Sequence, residues 1–369
     1  MVSAASTLND LNDDVLYEVC SFVNVLTTDF DGSLGPVSLK NLSLVNKHFR
    51  ELSAPILFRN VRTIGPAGKS RMMLEGDWIA TRTAIAVLQN SLVRYIRNFK
   101  FDIYAARRPT QPATKQDFEQ LVKFLVRMPQ LRKLVLYVPL PHVSTLESAF
   151  EAADILLPSV NTLVVNPLCV FVVKKCPNLE AASTHPPYHW HHQRLHVDSL
   201  GIIQNHKATL VKALSLAKRL RRFEAEGLWR VDNLHALATV APKLRWLGMT
   251  GTSHAYEDDS TLEKLTALSR FENLERLDIA DASELGLEFD PFWCGNTYMG
   301  LHGAELQEVK EARHKMEDMV ARVAFSSCAS LKEVWVGERS KAQAVRGKDG
   351  NIDKVIWSRG ELKTGGIAK

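Results

Sequence analysis

No segment of this 369-residue sequence is apolar for long enough to cross a bilayer. The most apolar stretch, Leu163 to Val173, is interrupted by Asn166 and Pro167 and falls well short of the roughly 20 residues a membrane span needs. No membrane partner is therefore expected. The opening residues, Met-Val-Ser-Ala-Ala-Ser-Thr-Leu-Asn-Asp, hold neither a basic region nor an apolar run, so no secretory signal is expected either. Cysteine is scarce: five residues, at positions 20, 169, 176, 294 and 328. An odd, scattered set argues against a disulfide framework and for buried, reduced thiols. These absences together point to the cytoplasm and/or the nucleus. On that footing the Asn-x-Ser match at Asn41 has no meaning as a glycosylation site.

Catalytic signatures are missing as well. The sequence has no Gly-x-Ser-x-Gly elbow, no Walker loop, no Gly-x-Gly-x-x-Gly fingerprint and no His-Glu-x-x-His. We therefore expect no enzyme activity and no cofactor. His185, His189, His191, His192 and His196 crowd one short stretch beside Trp190, and clustered histidines invite a metal reading. No cysteine or carboxylate stands among them, and Pro-Pro-Tyr-His-Trp-His-His reads as an irregular surface loop, so no metal is expected. Net charge is +5, of which residues 337–369 supply +4, eight Lys or Arg against four Asp or Glu. Lys218, Arg219, Arg221 and Arg222 form one basic rim, read as a solvated edge. Elsewhere the signs are mixed, which argues against a nucleic-acid partner.

What the sequence does contain begins near Leu8. Asn12 is placed to cap a helix starting at Asp13, and Asp13 and Asp14 suit the positive end of that helix. Leu11 and Leu16 occupy hydrophobic-staple positions. Val15, Val19, Phe22 and Val23 recur at helical spacing. After a segment with the turn signals Asp31-Gly32 and Gly35-Pro36, Ser38 is placed to cap a second helix carrying Leu39, Leu42, Val45, Phe49 and Leu52. Ser53 and Pro55 then restart a short third helix. Three short helices enclose little core, so left-over apolar residues such as Leu11, Val15, Leu16 and Leu42 call for a partner.

The pattern Leu-x-Asp-Asp-Val-Leu, then Ser-Phe, then Leu-x-x-Leu-Ser-Leu-Val-Asn-Lys-x-Phe-Arg-x-Leu, resembles an F-box. Ser53-Ala-Pro-Ile-Leu-Phe-Arg-Asn-Val61 resembles the F-box proteins of fungi. Asn12 stands where the family usually has proline, and Phe49 where it often has tryptophan. The resemblance implies a box at 8–62 that binds the Skp-family linker subunit, and through it a cullin, while the rest of the chain recruits a protein for ubiquitination. Carried over residue by residue, it implies that Leu11, Val15, Leu16, Leu42, Val45 and Phe49 meet Skp or support that face.

Beyond the box the sequence repeats. Met128-Pro-Gln-Leu-Arg-Lys-Leu-Val-Leu136, Leu157-Pro-Ser-Val-Asn-Thr-Leu-Val-Val165 and Cys176-Pro-Asn-Leu-Glu-Ala-Ala-Ser-Thr184 share one pattern. So do the nine-residue segments that begin at Ala217, Ala241, Phe271 and Cys328. Each is small or apolar, then apolar at the fourth and seventh positions and, Thr184 excepted, at the ninth. First residues lie 29, 19, 41, 24, 30 and 57 apart. Leu-x-x-Leu-x-Leu at such periods is the leucine-rich-repeat signature, and Val93 to Phe101 is a degenerate copy. Connecting segments read as helices: Thr114 to Met128 with Phe118, Leu121, Val122 and Leu125 on one face, then Asn205 to Leu216 and Asp232 to Val240. Ser144-Thr-Leu-Glu147 and Ser260-Thr-Leu-Glu263 match capping boxes.

The fold expected is α/β: a small N-terminal helical unit at 8–62, a linker and helix at 63–90, and an irregular leucine-rich-repeat solenoid at 91–336. The solenoid has its parallel sheet on the concave side and helices on the convex side. Insertions fall at 183–197 and 280–327. The second holds a glycine-rich aromatic loop (Phe289 to Gly303) and a long helix with Leu306, Val309, Met316, Met319, Val320 and Val323 on its apolar face. On the other face, Glu311–Lys315 and Asp318–Arg322 form favourable pairs. Residues 337–369 read as a basic tail or a hairpin about Lys348-Asp349-Gly350-Asn351. Alternation along the strands sends Lys133, Val135 and Tyr137, then Thr162, Val164 and Asn166, to the concave face. Arg222, Glu224, Glu226, Trp246, Thr250, Arg276, Asp278, Glu333 and Trp335 follow. Exposed aromatics beside arginine make interface anchors, so Tyr137, Arg222, Trp246, Arg276 and Trp335 are the expected contacts to an unknown protein substrate. The competing reading is a non-catalytic leucine-rich-repeat scaffold that binds a protein partner without ubiquitin transfer.

Overall fold

A computed structural model describes residues 12–26, 37–64, 90–102, 113–138, 140–184, 209–226, 230–250, 260–280, 303–337 and 340–359. The His-rich stretch 185–197, the aromatic loop 289–302 and Leu11 lie outside the described residues, as do Cys294 and most of the 63–90 linker. The chain divides into two compact units, Met1–Ser159 and Val160–Lys369.

The first unit opens with three helices: α1 (Asp13–Leu26), α2 (Val37–Ser43) and α3 (Lys47–Leu57). The Asp14 N–H donates to Asn12 Oδ1 at 3.0 Å, so asparagine does cap α1. The second predicted helix is in fact two. The chain turns at Leu44 and Val45, whose N–H groups reach Asn41 O and Leu42 O. Asn46 then caps α3, accepting from Phe49 N at 2.9 Å. Apolar spacing runs through this break unaltered, which is why periodicity alone joined the two segments. Pro55 consequently lies inside α3 rather than at a helix start. The carbonyl it leaves without a donor belongs to Glu51, an exposed residue that water can reach.

Strand β1 (Asn60–Ile64) follows α3 directly, so the sheet begins ahead of the expected boundary at 91. It pairs in parallel with β2 (Asn98–Asp102), and β2 with β3 (Lys133–Tyr137). Helix Lys115–Val126 lies between β2 and β3 in the chain and buries Phe118, Leu121, Val122 and Leu125. Phe124 meets Phe99 of β2 edge-on at 5.7 Å. A capping box opens the helix: Thr114 N–H donates to Asp117 Oδ2 at 2.7 Å and Asp117 N–H to Thr114 Oγ1 at 3.3 Å. The predicted box at Ser144 does not form a helix start, because helix Leu140–Ala153 begins a turn earlier.

In the second unit strands β4 (Thr162–Val165), β5 (Ala181–Thr184), β6 (Arg222–Glu226), β7 (Trp246–Thr250), β8 (Arg276–Ile279) and β9 (Glu333–Val336) pair in parallel in chain order. Parallel neighbours require crossovers. Helices Val231–Val240, Thr261–Ala267 and Gly303–Ser327 supply three of them. The Ser260 box is real, with Ser260 N–H to Glu263 Oε2 at 2.7 Å and Glu263 N–H to Ser260 Oγ at 3.2 Å. One row of strand residues, Leu163, Phe223, Leu247, Leu277 and Val334, is completely or almost completely buried, as are Leu234, Leu237, Leu265, Val320 and Phe325 of the helices. Each such side chain contributes about 1.5–3 kcal/mol of burial. In the long helix the buried stripe is Glu317, Val320, Ala321, Ala324 and Phe325, while Met319, expected on the apolar face, is exposed.

A backbone motif marks each repeat. One carbonyl accepts from two successive N–H groups of the next strand's start: Glu180 O from Arg221 and Arg222, Arg221 O from Arg245 and Trp246, Arg245 O from Glu275 and Arg276. Glu275 O receives Lys332 and Glu333 in the same way. The leucine opening a repeat also closes a tight turn, Leu220 N–H to Ala217 O, Leu244 to Ala241 and Leu331 to Cys328. These are the fourth and first residues of the repeated pattern. The sheet ends in an antiparallel hairpin, β10 (Ser340–Arg346) and β11 (Ile352–Arg359), with Gly350 at φ 81°.

Cys20, Cys169, Cys176 and Cys328 are buried. Burial pushes the Cys176 thiol up to about 12.

Candidate protein-binding surfaces

Two surfaces stand out, one in each unit. In the first, α1 buries Leu16 and Cys20, one turn apart, and leaves Val15 and Val19, also one turn apart, on an adjoining stripe. Val15 is 47% exposed and Val19 40%, and Tyr17 is 40% exposed. Leu44 and Val45, at the α2–α3 turn, are 63% and 66% exposed. That turn is held near the start of α1: His48, in the first turn of α3, lies 3.2 Å from Asp13. Of the residues carried over from the F-box resemblance, Val15 and Val45 are therefore exposed, Leu42 is half-buried, and Leu16 and Phe49 belong to the interior of the helical unit. Val19, Tyr17 and Leu44 were not among the expected contacts. Val19 shares Val15's stripe by simple i, i+4 spacing, which was the available signal.

In the second unit the strand register aligns Arg222, Trp246, Arg276 and Glu333 in one row, and Glu224, Gly248, Asp278 and Trp335 in the next row on that face. Strand alternation therefore places these residues as the repeat pattern predicts. Exposure of the aromatics is corrected: Trp246 and Trp335 are only 5% and 4% exposed. Cations cover them. The Arg222 guanidinium carbon lies 4.2 Å from the Trp246 ring centre, and Arg276 lies 4.8 Å from it and 5.3 Å from Trp335. Lys341 Nζ is 5.8 Å from Trp335. Contacts of this kind contribute about 0.5–2 kcal/mol each. Tyr137, in the first unit, has Lys100 5.1 Å from its ring and is not part of this row.

Charge threads through the same ladder. Arg276 grips fully buried Asp278 with two bonds, Nε to Oδ1 at 2.8 Å and Nη2 to Oδ2 at 3.1 Å. Arg276 Nε is also 3.4 Å from Glu333, which in turn is 3.3 Å from Lys341. Gly248 leaves the room that the Glu224 side chain occupies, since a Cβ there would stand 2.8 Å from Glu224 Cγ. Desolvation and the neighbouring Arg276 lower the Arg222 guanidinium from its ordinary value, while Glu224 and Asp278 act the other way. Arg222 is the exposed end of the ladder. Such an arrangement presents guanidinium donors that suit carboxylates and backbone carbonyls. No group of three or more potential metal ligands occurs among the described residues.

No helix among the described residues is long and apolar enough to cross a membrane. No family model matches the chain, and no curated protein does. One similar solved structure is a chain of the "TLR13-ssRNA13 complex": 14% identity over 53% of this chain and 27% of that one, with a TM-score of 0.30. This chain thus spans about a quarter of that chain's length. The repeat architecture rests on its own strand pairing, and likeness at this level adds no argument to it.

Proposed function

We propose that this chain is a non-catalytic adaptor, the substrate-recognition subunit of a Skp–cullin–F-box E3 ubiquitin ligase working in the cytoplasm or nucleus. The observation that carries the reading is the exposed apolar set Val15, Val19, Leu44 and Val45 on a three-helix unit whose interior is already filled by Leu16, Leu39 and Phe49. Scattered surface apolar residues need no explanation, but a stripe beside an apolar turn marks a protein-binding site. The Skp-type linker is its proposed occupant. The Arg222–Trp246–Arg276–Trp335 ladder is the proposed contact with the target, whose ubiquitination follows from proximity to the loaded enzyme.

Affinity purification of the full chain from its native cells tests this. Recovery of both a Skp-type subunit and a cullin supports it. A Skp-type subunit without cullin favours the scaffold that binds partners without ubiquitin transfer. Recovery of neither, with the helical unit folded, overturns both.

A further inference from the structure

The residue just before each strand makes or receives the carbonyl clasp between neighbouring repeats, and these residues form a column. In the second unit the column reads Asn161, Glu180, Arg221, Arg245, Glu275 and Lys332. Its signs are mixed, and Lys332 pairs with Glu275 at 3.2 Å. In the first unit the equivalent column reads Arg59, Arg97 and Arg132: Arg59 O accepts from Arg97 and Asn98, and Arg97 O from Arg132 and Lys133. All three are arginine. Arg59 and Arg132 are exposed and Arg97, between them, is half-buried. Among the described residues of this unit, Lys47–Glu51, His48–Asp13 and Lys115–Glu119 form ion pairs. None of them involves the three arginines.

Neighbouring strands are about 4.8 Å apart, so the three side chains leave the backbone along a line about 10 Å long. Like charges in adjacent register positions repel and destabilise a sheet. One strand step inward, Asn98 Nδ2 donates to Asn60 Oδ1 at 2.6 Å, so amides rather than acids flank the column. Among the described residues no ion pair offsets the repulsion, whereas in the second unit Glu275 pairs with Lys332.

We propose that the Arg59–Arg97–Arg132 column is a binding site for an acidic protein segment that presents carboxylates at about the spacing of the strands. Acidic side chains at i, i+3 and i+7 of a helix recur about 5–6 Å apart and fit that spacing. Each guanidinium offers a planar fork that matches a carboxylate. The site is independent of the ubiquitin-ligase reading, since it uses neither the exposed helical stripe nor the Trp246 ladder.

The test uses the full-length chain and a fluorescein-labelled Glu-rich helical peptide with glutamates at i, i+3 and i+7. The controls are its Gln-substituted twin and a 12-mer of oligouridylate. Fluorescence polarisation should show the Glu peptide binding at least tenfold more tightly than the twin. Arg97→Glu should abolish that preference, and Arg132→Gln, at an exposed position, should weaken it several-fold. Arg245→Glu changes net charge as much as Arg97→Glu but lies in the mixed column, and should alter affinity less than twofold. Thermal melts of each variant establish folding, and Arg132→Gln carries the test if Arg97→Glu does not fold. Equal losses for Arg97→Glu and Arg245→Glu, equal binding of the two peptides, or binding of the oligonucleotide alone would each overturn the proposal.

Discussion

Arg276 and Asp278, two residues apart on β8, form a two-point fork in which the carboxylate has no exposed surface and the guanidinium lies between two indole rings. A buried acid gripped by a two-point fork depends on that fork heavily. Arg276→Ala removes it and should cost about 3–5 kcal/mol in denaturant unfolding. Arg276→Met with Asp278→Leu removes both charges and should recover most of that loss. A double variant as unstable as Arg276→Ala alone would mean that ring packing, not the ion pair, holds this face.

Glu317, fully buried in the long helix, accepts from Arg313 Nε at 2.9 Å, Ser340 Oγ at 3.3 Å and Arg359 Nη2 at 3.4 Å. It ties both strands of the terminal hairpin to the helix. Glu317→Ala should destabilise the second unit by about 2–3 kcal/mol and speed amide exchange across 340–359 more than across β6–β8. Uniform acceleration would contradict the tie.

Much of this was readable beforehand, for a physical reason. Leucines that must fill a shared core repeat with the strands, so Leu134, Leu247, Leu277 and Val334 announce their rows, and alternation then puts Arg222, Trp246 and Arg276 opposite them. The break at Leu44–Asn46 was hidden because Leu42, Val45 and Phe49 keep helical spacing across it. The turn bonds of Leu44 and Val45 and the cap from Phe49 N to Asn46 reveal the stop. Glu317 was hidden more thoroughly, since Ser340 and Arg359 lie 23 and 42 residues away. Arg97 and Arg132 both hold the fifth position of the repeated pattern, but Arg59 lies outside the copies read from the sequence and joins their column only through the register of β1.

Lys264 provides a test in pH. It is 2% exposed, and desolvation lowers its ammonium from 10.5 to about 8. The folded value lies below the unfolded one, so the unfolded chain binds the extra proton between about pH 8 and pH 10.5. The Lys264 contribution therefore stabilises progressively as pH rises through that window. Cys176 acts oppositely above about pH 9, because its folded value is the higher one. Comparison with Lys264→Met cancels the thiol. The variant should be more stable than the parent by about 1–2 kcal/mol at pH 7, with the advantage shrinking by pH 10. A gap independent of pH would contradict the desolvation account.

The central claim is that the exposed stripe and turn of the first unit exist to be covered by a second polypeptide. Isothermal titration of a purified Skp-type linker into the full-length chain and into Val15→Asp/Val45→Asp addresses it directly. Both positions are exposed, so the variant should melt like the parent. The account predicts measurable binding by the parent and a loss of at least about 30-fold in the variant. Undiminished affinity in a folded variant, or no binding by the parent, would contradict it.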